Sequence, residues 1–345
     1  MKSETTGGND SATPPTAQVA FVVVYTGTWP HWCQVFFDSV GRNSLIDLVL
    51  VCSSIPPCPL PANVHMFPIT VEELTSRLRT ATGLKLNPIT GHKLCDFRPF
   101  FGLAFRDLLA DYSFWGFCDV DMIFGDLAKL LTPEFLAQMD AFTAHNKQLV
   151  GHFTLLRNNE RMNRLGFEME DWQAACLSPA NAMVDEKQFS DVLAKAVDIK
   201  WVKTNTLASE LDRAFCRFGI TFGFRGEVAY LDSNEAALVE VNGNRVIYSD
   251  ARRQTEVLYV HFMGLKHWWH WLDYRPEEKN PRFSRVGYGG PRNAQALLRF
   301  PWRQLWAAEM LLVRAKSLSG GFLRRLLPSS AFLSVRRLLL GRSRY

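Results

Sequence analysis

Asp119 and Asp121 flank a single valine directly after the apolar run Phe114-Trp115-Gly116-Phe117-Cys118. In an extended segment, residues two apart present their side chains to the same side. Adjacent carboxylates repel, and holding both beside a buried strand is costly without a cation. A divalent metal removes that cost. Mg2+ or Mn2+ takes hard oxygen ligands and commonly shares its shell with substrate phosphates. Such a pair suits departure of a diphosphate, whose growing negative charge a metal stabilises. The same spacing also occurs as a plain solvated turn, so the pair needs partners.

His261 is the first candidate partner. It lies in the apolar run Val257 to Phe262, which Met263-Gly264-Leu265-Lys266-His267-Trp268 follows. A neutral imidazole is a good ligand for a transition metal. Lys266, just past a glycine, could reach a diphosphate as a point charge. The other reading of His261 is a core histidine beside the Trp268, Trp269 and Trp271 packing patch.

The elements that must position these groups are legible in outline. Val19 to Tyr25 and Ile46 to Cys52 are short β-branched runs that suit buried strands. A helix is expected from Pro30 to about Ser39, and another over Val71 to Arg79 with Thr70 as N-cap. Arg98 to Leu109 has apolar residues at helical spacing, and Glu186 to Ala196 also reads as helix. Val150 to Leu156, Val246 to Tyr248 and Val257 to Phe262 read as strands. Alternating strands and helices predict an α/β layered domain with a mixed, mostly parallel sheet flanked by helices. Ligands bind beyond the carboxyl ends of strands in such sheets. Asp119 and Asp121 lie at one such end, and Thr26-Gly27-Thr28 at another.

Composition narrows the class. Of 345 residues, 47% are hydrophobic and 12% aromatic, which predicts a globular chain with a sizeable core. No apolar stretch is long enough to span a bilayer. Residues 1–17 are polar, lack the apolar region of a signal peptide, and are expected to form a disordered leader. The domain proper is expected over 18–280, with 281–345 as linker and basic amphipathic, helical tail. From Asn293 onward there are ten Lys or Arg and one acid, Glu309, so the mild net charge of +5 hides a strongly basic end. That tail suits an anionic membrane surface, or a solvated basic face on a helical subdomain. No nucleic-acid motif accompanies it. The seven cysteines are scattered and odd in number, as expected of reduced thiols in a cytoplasmic protein.

Longer blocks carry a family resemblance. The carboxylate pair with a late H-F-x-G-x-K-x-W resembles the GT-A glycosyltransferases related to glycogenin and the bacterial lipooligosaccharide galactosyltransferases. Their late segment has one more residue before the lysine. A closer resemblance is to bacterial glycosyltransferase-like proteins linked to capsule and surface polysaccharide loci. It rests on Tyr25-Thr26-Gly27-Thr28-Trp29-Pro30-His31-Trp32, Asn43-Ser44-Leu45-Ile46-Asp47, Lys93-Leu94-Cys95-Asp96-Phe97-Arg98-Pro99 and Phe114 through Asp126. That group often has Thr-Asp after the second strand, where this chain has Ser53-Ser54.

The resemblance implies a GT-A-like (Rossmann-like) fold and a set of roles. Asp119, Asp121 and His261 are implied as ligands of Mn2+ or Mg2+. Asp119 would also touch the ribose, Lys266 the diphosphate, and Tyr25 and Thr26 the base. Arg98 and Asp96 are expected to face the donor sugar or diphosphate, with a helix-start salt bridge as the alternative. His152 and Asn158 are expected to line the pocket, unless His152 is a buried structural residue. Asp185 with Glu186 matches an acid-polar pair that contacts the sugar, or else forms a helix start. Asp185 and Asp96 are the candidates for catalysis.

The implied activity moves a sugar from a nucleotide-diphosphate donor, a UDP-sugar first, to a glycan or lipid-linked acceptor. The expected place is the cytoplasm, peripheral at the inner membrane face. Two other readings stay open. One is an aspartyl-nucleophile phosphatase or phosphotransferase, although such enzymes usually carry the motif on their first strand. The other is a non-catalytic glycan-binding protein.

Overall fold

A computed structural model describes residues 18–30, 32–145, 147–203, 220–221, 238–250, 253–261 and 282–284. The expected leader, Lys266 and the aromatic patch after it, the linker from Pro281 apart from 282–284, and the basic tail lie outside them.

The amino-terminal half runs β1 (Val19–Tyr25), α1 (Cys33–Gly41), β2 (Ile46–Cys52), β3 (Val64–Pro68) and α2 (Val71–Thr82). A 3-10 segment, Gly91–Phe100, leads to α3 (Phe101–Ala104), β4 (Phe114–Cys118) and β5 (Met122–Phe124). Next come α4 (Pro133–Ala137), β6 (Ala141–Thr143), β7 (Phe153–Arg157), α5 (Glu160–Asn163), α6 (Trp172–Leu177), α7 (Lys187–Lys195) and β8 (Trp201–Lys203). The last strands are β9 (Ile220–Thr221), β10 (Leu238–Asn242), β11 (Arg245–Asp250), β12 (Arg253–Val257), β13 (Tyr259–His261) and β14 (Arg282–Ser284).

The main sheet has seven strands in the order β3-β2-β1-β4-β7-β6-β8. From β3 to β4 every pairing is parallel; β7 runs antiparallel to both its neighbours, and β8 is parallel to β6. The α/β class and the mixed, mostly parallel sheet are therefore as expected. The two-residue side-chain period of β1 feeds both faces. Ala20 and Val22 enter a core with Leu74, Leu78, Phe97 and Phe105. Val19, Phe21 and Val23 enter a second with Phe36, Phe37, Phe124 and Phe153. Helices cover the sheet on both sides, which is why its strands are nearly continuous apolar runs.

Helix α2 starts where its sequence says. Thr70 accepts from the Glu73 N–H at 3.1 Å while Glu73 Oε2 accepts from the Thr70 N–H at 2.8 Å. It ends at Gly83, whose φ of 73° is the left-handed conformation that closes a helix.

Three expectations shift. The helix expected over Arg98 to Leu109 is only the short α3, entered from a 3-10 segment that contains Pro99. Proline has no N–H for a longer α ladder. The apolar spacing still marks the buried side, since Phe101, Ala104, Phe105 and Leu109 are all buried. The first helix begins at Cys33, with Pro30 closing the turn ahead of it through its carbonyl. The single late strand is two, broken at Leu258, and Val257 and His261 belong to different sheets. No helix among the described residues is long and apolar enough to cross a membrane.

Candidate metal centre

Strand β4 is buried along its whole length between β1 and β7. Gly116 permits this, because a Cβ there would stand 2.2 Å from the Thr154 carbonyl oxygen. Past Cys118 the chain bends instead of continuing extended, and β5 leaves the main sheet. Asp119 and Asp121 occupy that bend. Their carboxylates converge through the bend and not through an extended pleat.

Strand β5 pairs antiparallel with β13, in a register that sets Met122 opposite His261. This pairing carries His261 to the carboxylates. Gly125 extends the contact by donating its N–H to the Leu258 carbonyl at 2.8 Å. A Cβ at Gly125 would lie 2.4 Å from the Val257 carbonyl oxygen, so the approach requires glycine. Lys129 Nζ, 2.6 Å from Glu256 Oε1, fastens the same region from the side.

The three side chains meet closely. His261 Nε2 is 3.3 Å from Asp121 Oδ1 and 3.7 Å from Asp119 Oδ2. One ligand atom from each residue lies within 4.8 Å of the others. The side chains of His261 and Asp121 are each 4% exposed and that of Asp119 is 32% exposed, so the group opens towards solvent at Asp119. Both ring nitrogens of His261 are buried without a hydrogen-bond partner among the described residues. An unsatisfied buried polar atom costs about 1–3 kcal/mol. Coordination by one nitrogen offsets part of that cost. Two carboxylates and an imidazole are a donor set that can hold a divalent cation.

Arg98 organises the carboxylates. Its Nη2 donates to Asp119 Oδ1, and its Nη1 donates to Asp185 Oδ2 at 2.9 Å. The guanidinium lies over the Phe117 ring, 5.4 Å from its centroid. Gly151 leaves room for it, since a Cβ there would come within 2.2 Å of Nη1. Asp119 and Asp185 share this one guanidinium, while Asp121 meets the group through His261, so three carboxylates stand near a single arginine. The excess of negative charge is what a divalent ion neutralises. Burial pushes the Asp185 carboxyl up to about 6, against the pull of Arg98. The two acidic neighbours hold Arg98 more firmly protonated than usual despite its burial.

Asp96 is placed differently from its expected role. It is completely buried. Its oxygens accept from Lys93 Nζ at 2.8 Å, from the Ala182 N–H at 2.9 and 3.1 Å, and from the Val184 N–H at 3.0 Å. A carboxylate so enclosed has no face to offer a substrate, so the catalytic role expected for Asp96 gives way to a positioning one. The two N–H groups flank Met183, whose φ of 56° is unusual for a side-chain-bearing residue. Asp96 thereby holds the bend that delivers Asp185. Asn158 is likewise structural, donating to the carbonyls of Leu109 and Tyr112 and accepting from Asn163.

His152 stands at the centre, stacked on His261 with ring centroids 4.4 Å apart. Its Nε2 is 3.2 Å from the Tyr259 hydroxyl, which also reaches the Ala144 carbonyl. Burial and the neighbouring His261 hold its pKa well below the ordinary value, so the ring is neutral. Tyr25 ends β1; burial, Cys33 and the nearby Asp121 raise its phenol. Thr26 accepts the Gly91 N–H through its hydroxyl at 3.1 Å, joining the loop after β1 to the 3-10 segment.

The structure thus gathers Asp119, Asp121, His261, Arg98, Asp185 and His152. It sets Tyr25 at the edge of that group and Asp96 behind it. Sequence reasoning missed Tyr259 and Gly151. Tyr259 is two residues from His261 on the same strand, and that period could have found it.

The chain belongs to a family described as "Family of unknown function (DUF6625)", which matches residues 21–273. No curated protein matches it. Among solved structures it is similar to the glycosyltransferase GlyE in Streptococcus pneumoniae TIGR4, with 15% identity and a TM-score of 0.28, over 57% of this chain and 50% of that one. The apo form of GlyE is similar at 14% identity with the same TM-score of 0.28, over 58% and 50% of the two chains. This chain therefore spans about half the length of those it resembles.

Proposed function

We propose that this family member is a metal-dependent glycosyltransferase. It takes a sugar from a nucleotide-diphosphate donor, a UDP-sugar first, and delivers it to a glycan or lipid-linked acceptor. The observation that carries this reading is the convergence of Asp119, Asp121 and His261 at the carboxyl end of β4, with neither His261 nitrogen in a hydrogen bond among the described residues. The carboxyl ends of parallel strands are where such folds bind ligands.

Asp119, Asp121 and His261 would hold Mn2+ or Mg2+. When bound, that ion would neutralise the charge growing on the departing diphosphate oxygen. Tyr25 and Thr26 border the base. Arg98 fixes the orientation of Asp119 and of Asp185, and Asp185 serves the donor sugar as a hydrogen-bond acceptor. His152 keeps the His261 ring in plane. Lys266 is assigned to the diphosphate. The basic excess after Asn293 supports work at the inner membrane face, with the tail against anionic lipid. An aspartyl-phosphate mechanism fits less well, because such enzymes usually carry the motif on their first strand and here it follows β4.

The test is thermal stabilisation by UDP and GDP with and without Mn2+. A ligand that binds the native state stabilises it by mass action. Stabilisation by UDP that requires Mn2+ and disappears in Asp121→Ala is the expected result. Failure of every nucleoside diphosphate to stabilise the chain would remove the proposal.

A further inference from the structure

We infer that Cys33 and Cys58 are an oxidisable dithiol, which a small-molecule disulfide converts to an intramolecular bridge. Their sulfur atoms lie 3.8 Å apart, in contact, and both are free thiols. Among the described residues no other cysteine sulfur meets a second one. Cys33 is buried at the start of α1, whereas Cys58 is partly exposed in the loop after β2. That loop reads Pro56-Pro57-Cys58-Pro59, and prolines restrict the backbone so that Cys58 is held near its partner. Closure brings the two sulfur atoms from 3.8 Å to a disulfide length of about 2.05 Å.

The pair sits beside the candidate site. Ser53 and Ser54, in the same loop, bond the Gly27 N–H at 3.2 Å and the Gly27 carbonyl at 2.6 Å. Trp29 Nε1 donates to the Ser54 carbonyl at 2.8 Å, and the Trp29 ring stacks on Tyr25 at 4.0 Å. A bridge from Cys58 to Cys33 therefore pins the loop that supports Tyr25. Burial, with Cys58 alongside, pushes the Cys33 thiol up to about 12, and burial raises Cys58 as well. Both rest as thiols until an oxidant arrives.

The chemistry balances with glutathione disulfide as oxidant. Cys58, the more accessible of the two, loses its proton and attacks one glutathione sulfur; the glutathione S–S bond breaks and one glutathione leaves as thiolate, taking up that proton. Cys33 then attacks the Cys58 sulfur of the mixed disulfide. The second glutathione leaves with the bonding pair and the Cys33 proton. Two protein thiols are oxidised and one disulfide is reduced.

The test treats the native full chain with glutathione disulfide, alkylates free thiols and maps peptides without reduction. The expected result is a Cys33–Cys58 linked peptide and loss of two alkylatable thiols of the seven. Cys58→Ser, in a partly exposed loop, should keep the fold by circular dichroism and abolish the loss at Cys33. Stable glutathione on Cys58 with Cys33 still alkylatable after unfolding would overturn the inference. So would a full set of alkylatable thiols in the treated wild-type chain.

Discussion

The His152 ring lies flat against that of His261, with planes within 22° of each other and centroids 4.4 Å apart. Tyr259 holds the outer edge of His152 through its hydroxyl. An imidazole ligand bound through one nitrogen can still tilt, and the stack removes that freedom. His152→Ala is expected to weaken Mn2+ binding about 10-fold or more, as loss of groups that orient a ligand does. Isothermal titration with the metal alone measures it, and circular dichroism checks the fold. Unchanged affinity would show that the stack is incidental.

Asp96 gives a prediction that separates positioning from catalysis. Asp96→Asn leaves Lys93 and two backbone N–H groups short of their charged acceptor. Losing one partner of a buried, hydrogen-bonded pair costs about 3–5 kcal/mol. A fall of that size in the unfolding free energy from urea denaturation is expected, with metal affinity per folded molecule nearly kept. Undiminished stability would mean that Asp96 is not the clamp described.

Gly125→Ala tests the route by which His261 arrives. The added methyl meets the Val257 carbonyl oxygen, which belongs to backbone and cannot swing aside. Forced overpacking costs about 1–3 kcal/mol. The pairing of β5 with β13 should loosen, and Mn2+ affinity should fall together with thermal stability. Full affinity in this variant would show that the pairing does not position His261.

The raised Asp185 carboxyl predicts a pH dependence in metal-free protein. Folded, it titrates near 6, above the ordinary value of 3.8. Between those values the folded chain keeps a proton that the unfolded chain has released. The contribution is therefore full below 3.8 and is lost as pH rises through about 6. Asp185→Asn cannot ionise and lacks this fall, so its stability relative to wild type should rise from pH 4 to pH 6 and then level. Urea denaturation in EDTA at stepped pH measures it. Parallel profiles would count against the raised carboxyl.

Much of this was legible in the sequence. The buried strands β1, β2 and β4 announced themselves as apolar β-branched or aromatic runs, and Thr70 with Glu73 marked the α2 start by local hydrogen bonding. Asp119, Asp121 and His261 could be grouped by chemistry alone, because hard oxygens and an imidazole share a use. Local pattern could not reveal that Arg98 would bridge Asp119 and Asp185, since partners so far apart in sequence meet only through the fold. Nor could it show Asp96 reaching Ala182 and Val184. The apolar spacing after Arg98 described a buried side correctly and the hydrogen-bond ladder wrongly, because Pro99 decides the ladder and burial decides the spacing.

The pairing of β5 with β13 has a consequence for how the chain reaches its finished state. Asp121 and His261 leave the ribosome far apart in time, and the small sheet that joins β5 to β13 cannot form until the later strand is made. The pocket for an ion is therefore a late product of folding. A cation captured there stabilises only chains that have completed the long return from β5 to β13. It would work as a latch, closing a large loop reversibly, and its removal would favour opening of that return path before the parallel core around β1.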